Sequence, residues 1–408
     1  MIRIICVSVL FFATTVFAQE WTRFRGPNGS GISSATTVPT QWSDSDYKWK
    51  IKLPGRGHSS PVLWGKKLFT SSADQKKGGV TFVCLNADDG STIWKREVSF
   101  APTKQHKFNS FACTTPALDE KHAYMTWGNN SKCVLTAWDH DGKTVWEYNL
   151  GPIKAQHGFG FSPVIYNGTV IVENEQLGNS YLVAVNCETG KQVWKTRRDS
   201  GYKTAYSTPV IYTPSKGRPQ LVVHSQANGI TGIDAATGKQ LWQYKNAFAQ
   251  RTVSSPVLAG DIVFGTCGAG GGGDAMFAIQ IPASGSQVTQ PFDPLTRAAP
   301  YVPTAVVYKG HVYFVADSGV ASCVDPNSGK VLWQERLDAS GGFFSSPVCV
   351  NGIIYCVSKS GNVAVFKAAT NFQPIATIDL GEGTYATPAV ANGRMYLRTF
   401  TGMFCVGG

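Results

Sequence analysis

The chain has 408 residues, with 37 lysines and arginines against 26 aspartates and glutamates, a formal net charge of +11. The basic residues are scattered through turn-like segments (Lys66, Lys67, Lys76, Lys77, Lys143, Lys191, Lys239, Lys330) and form no stripe, which argues against a nucleic-acid partner. No apolar run is long enough to span a bilayer, and no Cys-x-x-Cys or Cys/His metal spacing occurs.

The N-terminus has a charged start, Met1-Ile2-Arg3, then an apolar run from Ile4 to Val16, then the small-residue end Val16-Phe17-Ala18. This pattern predicts a cleavable secretory signal over residues 1–18 and an exported mature protein, periplasmic or secreted. No Cys follows the cut, which argues against a lipid anchor. Residues 19–45 are expected to form an N-terminal extension and residues 46–408 a single β-propeller domain. Export permits disulfides, but Cys84 and Cys323 stand where other repeats carry Ala184 and Gly232. Small buried free thiols are therefore expected, not a cross-linked framework.

From residue 60 onward a pattern recurs eight times: Ser60-Pro61, Thr115-Pro116, Ser162-Pro163, Thr208-Pro209, Ser255-Pro256, the variant Val302-Pro303, Ser346-Pro347 and Thr387-Pro388, with prolines 41 to 55 residues apart. Two apolar stretches follow each Pro. Then come polar positions, a Gly, and a Trp four residues after the Gly: Gly90 and Trp94, Gly142 and Trp146, Gly190 and Trp194, Gly238 and Trp242, Gly329 and Trp333. A strand-like unit with this period predicts an all-β, eight-bladed propeller of four-stranded antiparallel blades. The Gly suits a positive-φ hairpin turn, and the Trp has the area to cover a blade joint. Two copies are degraded: Val288 falls near the Trp position of the fifth repeat, and Asn371 and Ile375 replace Gly and Trp in the seventh. The eighth repeat ends one strand short, while Tyr47-Lys48-Trp49-Lys50-Ile51-Lys52-Leu53 precedes the first with no blade of its own. The N-terminal strand is therefore expected to close the ring, with Trp49 as the missing outer-strand Trp. Closure removes open edges.

In such blades the Gly-before-Trp turns share one rim with the first hairpin turns. The blade-joining segments share the other rim with the irregular loops. The joining segments carry Arg56, His58, His106 to Phe111, His157, Phe159, Tyr206, Arg251, Tyr301, Phe344 and Tyr385, a set expected to ring the mouth of the central channel as a ligand site. No residue set reads as catalytic or metal-binding. The run Gly268–Gly273 has no following Lys-Ser/Thr and reads as a flexible loop, not a phosphate cradle. Glu173-Asn174-Glu175 offers oxygen ligands for a hard cation but reads as a solvated strand end.

Gly232-Ile233-Asp234-Ala235-Ala236-Thr237-Gly238-Lys239-Gln240-Leu241-Trp242 resembles the tryptophan-docking repeat of pyrroloquinoline quinone (PQQ) propellers. The stretches Trp21–Gly31 and Leu53–Pro61 resemble exported PQQ-like repeat proteins of planctomycete type. The resemblance covers nearly all of the mature chain. It implies either a quinoprotein dehydrogenase or a non-catalytic propeller such as the outer-membrane protein assembly lipoprotein. Enzymes of the group use the quinone, a Ca²⁺ beside it, an Asp base and, in many, a vicinal disulfide. This chain has no Cys-Cys pair, no haem signature and no long insertions. The leading expectation is an exported binding or scaffold module whose loop-rich rim docks a protein or envelope polymer. The alternative is a PQQ-dependent dehydrogenase of an alcohol or sugar, with His58, His157 and Arg251 holding the quinone; a third is small-ligand binding without turnover.

Overall fold

Proline cannot donate into a β-ladder, and at seven of the eight repeats a proline stands one residue ahead of a short inner strand. Val62–Trp64 follows Pro61, Val164–Tyr166 follows Pro163, and Val210–Tyr212 follows Pro209. The computed structural model describes residues 21–270 and 272–408; the expected signal segment lies outside the described residues. Eight antiparallel sheets stand around one axis, their first strands packed against one another at the centre. In blade 1 the order is Val62–Trp64, Lys67–Ser72, Val80–Asn86 and Thr92–Val98, each paired with its sequence neighbour. Blade 8 is completed by Tyr47–Lys52, which pairs antiparallel with Gly402–Gly407, so the ring closes as the sequence predicts.

Hydroxyls at the repeat positions join neighbouring blades. Ser60 N–H donates to Thr115 Oγ1 at 3.1 Å, Thr115 N–H to Ser162 Oγ at 3.0 Å, and the series ends with Thr387 N–H on Ser60 Oγ at 3.0 Å. Seven of the eight joints carry such a bond among the described residues. They correct the sixth repeat: its hydroxyl is Thr304, which accepts from Ser255 N–H and leads into Val306–Tyr308 through Ala305. Val302-Pro303 lies two residues upstream of the repeat position.

The outer-strand tryptophans follow an equally simple rule. A register shift in each blade sets Trp94 opposite Cys84, Trp146 opposite Ala137, Trp194 opposite Ala184, Trp333 opposite Cys323 and Trp49 opposite Cys405. A small partner leaves room for the indole, which accounts for the buried free cysteines at these positions. Each indole then reaches the next blade. Trp49, Trp94, Trp146 and Trp333 donate to the carbonyls of Ala87, His140, Cys187 and Ala369. A Cβ on Gly90, Gly142, Gly190 or Gly238 would come within 2.7 Å of the preceding blade's indole. Those glycines are thus required twice, by positive φ and by the ring lying on them. Trp242 differs: its indole lies over Gly232 and donates inward to Gln220 Oε1 of its own blade at 2.6 Å.

Four further expectations need correction. Among the described residues blade 5 has three ladder strands, ending at Gly272–Gln280, and its outer edge is met only by bridges from Thr289 and Leu295. Phe292, not Val288, takes the docking position there, with its ring against Gly329 of blade 6. In blade 7 the register sets Ala376, not Ile375, at the tryptophan position opposite Val365. The void is filled from elsewhere: buried Trp42 packs on Tyr355 at 6.5 Å between ring centroids, and Tyr355 hydroxyl donates to Pro39 carbonyl. The glycine run is no free loop either, since Ile262–Ala269 and Gly272–Gln280 pair as a hairpin.

The segment before the closing strand crosses the channel on the side away from the blade-joining loops. Trp21 and Thr22 carbonyls accept from Leu63 and Leu118 of blades 1 and 2, and the Asn28 amide exchanges two bonds with Ile211 of blade 4. Arg25 donates to Ala305 and Pro347 carbonyls of blades 6 and 7, and Ile32–Ser33 pairs parallel with the inner strand of blade 7. The channel therefore has a floor.

Candidate functional site

Above that floor lies a cavity of about 550 Å³. Phe24, from the crossing segment, forms its base. The wall is the hydroxyl belt, including Ser60, Thr115, Ser162, Thr208 and Thr387, and the mouth is built by the blade-joining segments. Eight of the ten residues expected at the mouth line the cavity: His58, His106, His157, Tyr206, Arg251, Tyr301, Phe344 and Tyr385. Two do not. Phe159 is buried against Phe161 in the core between blades 2 and 3. Arg56 is exposed and lies over the Phe400 ring, 3.9 Å from its centroid, outside the cavity.

The rings touch in a chain around the mouth. His58 meets Tyr385 at 4.7 Å between centroids, Tyr385 meets Phe344 at 5.0 Å, Phe344 meets Phe108 at 5.2 Å, and His106 meets His157 at 4.3 Å. Phe108 reaches across from the joint of blades 1 and 2 to rings at the joints of blades 6–7 and 7–8, yet stays part-exposed. Sequence reasoning placed it only within a stretch, and it overlooked Phe24 as part of the site. An aromatic between two arginines, Arg23 and Arg25, was the available signal.

Electrostatically the cavity is cationic. Arg251 is buried, donates to Tyr301 hydroxyl at 3.1 Å and to Gln156 Oε1, and keeps an unpartnered Nε. Burial, aided by Arg398 and Arg56, depresses His58 to about 3. Burial, then Arg251 and His106, depresses His157 to about 4, and His106 is also lowered by burial. All three imidazoles are therefore neutral at neutral pH, and the Nδ1 atoms of His58 and His157 have no partner. Lys107 lines the opening, and Lys359 lies 4.6 Å from the Phe344 centroid.

Among the described residues no carboxylate lines the cavity. Two stand behind its wall. Asp317 Oδ2 accepts from Tyr301 and Val302 N–H, and burial raises its carboxyl to about 6 despite those bonds. Glu173 accepts from Ser207 hydroxyl, and burial beside Glu175 raises it well above the usual range. The Glu173–Glu175 stretch is thus no solvated strand end: both acids are buried, and Glu175 pairs with Arg198 at 2.6 Å. A carboxylated quinone could find Arg251 and stacking rings here. A hard cation beside it, or an acidic base facing it, finds no carboxylate among the residues that line the cavity, so the set fits such a cofactor poorly.

The family model described as outer membrane protein assembly factor BamB matches residues 130–324 and 316–406. The chain belongs to the BamB family. Among named BamB proteins it is 23% identical to that of Moranella endobia (strain PCIT) over 275 residues, 62% of this chain and 66% of that relative. It is 24% identical to that of Yersinia pestis over 342 residues, 82% of this chain and 70% of the relative. The chain therefore spans just under two thirds of the first relative. Among solved structures, BamB from Moraxella catarrhalis superposes with a TM-score of 0.62 at 14% identity, covering 91% of this chain and 97% of that one. Quinohemoprotein alcohol dehydrogenase from Comamonas testosteroni reaches 0.69 at 13% identity, covering 95% and 80%. At such identities the structural likeness shows the fold alone.

Proposed function

We propose that this chain is an exported, non-catalytic docking module of the cell envelope, directed by a signal over residues 1–18 and presenting its loop-rich rim to a protein. The observation that carries this reading is the mouth cavity. It is aromatic and cationic, blind at its base, and lined, among the described residues, by no acid that could serve as base or cation ligand. Membership of a family described by outer membrane protein assembly supports the same conclusion. Part-exposed Phe108 and strongly exposed Tyr202 stand on the rim, with Lys107 and Lys203 over their rings. Rings flanked by ammonium groups suit an acidic, partly apolar protein surface. The decisive experiment places a photo-crosslinking residue at Phe108 or Tyr202 in cells, with one at Lys216 on the opposite rim as control. A discrete protein adduct from the first two positions alone is expected. In parallel, calorimetric titration with PQQ and Ca²⁺ is expected to give only heats of dilution. Saturable quinone binding with electron-acceptor-dependent oxidation of an alcohol or sugar would overturn the proposal.

A further inference from the structure

On the floor side, the third residue after each blade's hydroxyl presents its backbone to the axis. The crossing segment meets this position at blades 1, 2, 4 and 7, where Leu63, Leu118, Ile211 and Cys349 donate to Trp21, Thr22, Asn28 and Gly31. The blade 3 counterpart, Ile165, receives no such partner among the described residues. Tyr166 and Thr169 flank a two-residue turn and form the bonded pair. Ile165, opposite Val170, therefore aims both N–H and C=O at the axis. Ile165 lines a second cavity, about 400 Å³, bounded by Thr22, Arg23, Asn28, Leu118 and Thr213. Arg23 is 7% exposed, donates through Nη2 to Pro209 carbonyl at 2.5 Å, and has an unpartnered Nε. No acid lines the cavity, and Arg23 forms no ion pair among the described residues. A buried guanidinium without a counter-ion costs free energy that an incoming anion recovers.

We propose that this floor cavity is a carboxylate site. The Arg23 guanidinium and Ile165 N–H donate to the carboxylate, and Ile165 C=O accepts an N–H where the ligand carries one. One cation, with no lysine lining the cavity, matches a single negative charge, and a planar guanidinium fits a planar carboxylate. Two sources share this chemistry: the C-terminus of an extended peptide and a free small carboxylic acid. The site is separate from the mouth and independent of what docks there.

The test titrates the chain with N-acetyl-trialanine as free acid, the same peptide as C-terminal amide, and sodium acetate, following heat and the Ile165 amide resonance. The free acid is expected to saturate one site and shift Ile165, with the amide at least about tenfold weaker. Arg23→Gln, which keeps a donor for Pro209, should lose binding by a similar factor while melting normally. Acetate that shifts Ile165 as strongly as the peptide would support the carboxylate contact, assign the site to free acids and remove the ligand N–H from the proposal. Acid and amide peptides that bind equally, or no binding by roughly 10 mM, would overturn the proposal. Should Arg23→Gln not fold, the acid and amide pair on the unaltered chain decides alone.

Discussion

Two glycines of blade 3 offer a controlled measurement of the docking of tryptophan between blades. Gly168 and Gly190 have nearly the same backbone, φ +71° and +68°. An alanine Cβ at Gly168 would meet nothing within 4 Å, whereas at Gly190 it would lie 2.7 Å from Trp146 Cγ and 2.8 Å from Cδ2. Both substitutions incur the left-handed backbone penalty of about 1–2 kcal/mol. Only Gly190→Ala adds overpacking, about 1–3 kcal/mol, because Trp146 is buried and its Nε1 is held by Cys187 carbonyl at 2.8 Å. The expected losses are about 1–2 kcal/mol for Gly168→Ala and about 2–5 kcal/mol for Gly190→Ala. Urea unfolding followed by tryptophan fluorescence reads both. Combining Gly190→Ala with Trp146→Leu should return much of the excess, a positive coupling in the double-mutant cycle. Equal losses from the two alanines, within about 0.5 kcal/mol, with no coupling to Trp146, would refute the docking argument.

Ser60→Ala removes the acceptor for Thr387 N–H at the closing joint and leaves a buried donor unpaired; a loss of about 1–3 kcal/mol is expected in the same assay. A loss below about 0.3 kcal/mol would mean the belt is incidental. Trp42→Ala should cost about 3–5 kcal/mol, since Ala376 offers nothing to fill the space beside Tyr355; an unchanged urea midpoint would contradict that role. Asp317 has its folded carboxyl raised to about 6 from 3.8, so its contribution to stability is present below pH 4 and lost as pH rises through 6. Asp317→Asn should therefore stabilise the protein at pH 7 by up to about 3 kcal/mol, with the gain vanishing at pH 4; a pH-independent effect would refute it. His58, lowered from 6.5 to about 3, has the opposite sign. Its neutral burial stabilises above pH 6.5 and that stability is lost on acidification toward 3, so His58→Phe should flatten the acid limb of a pH–stability curve.

The repeat was legible because its physics is local. Proline sets where a ladder begins, glycine permits the left-handed turn, and the fixed Gly-to-Trp spacing carries the indole to the blade edge. Blade number, ring closure through Trp49 and most of the mouth residues followed from these signals alone. What failed was whatever depended on a neighbour distant in sequence. Thr304 replaces the Val302-Pro303 variant because the adjoining blades' hydrogen bonds choose it. Phe159 and Glu173 look like rim residues in sequence but are buried by the next blade. The floor was also out of reach, since Arg23, Arg25 and Asn28 bind backbone groups of residues 183 to 322 positions away. The sequence by itself determined the ring, because each blade is specified by its own forty-odd residues. Only the tertiary structure decided that the ring is a blind cup with charge on both sides of its base, because that depends on one segment meeting many blades at once.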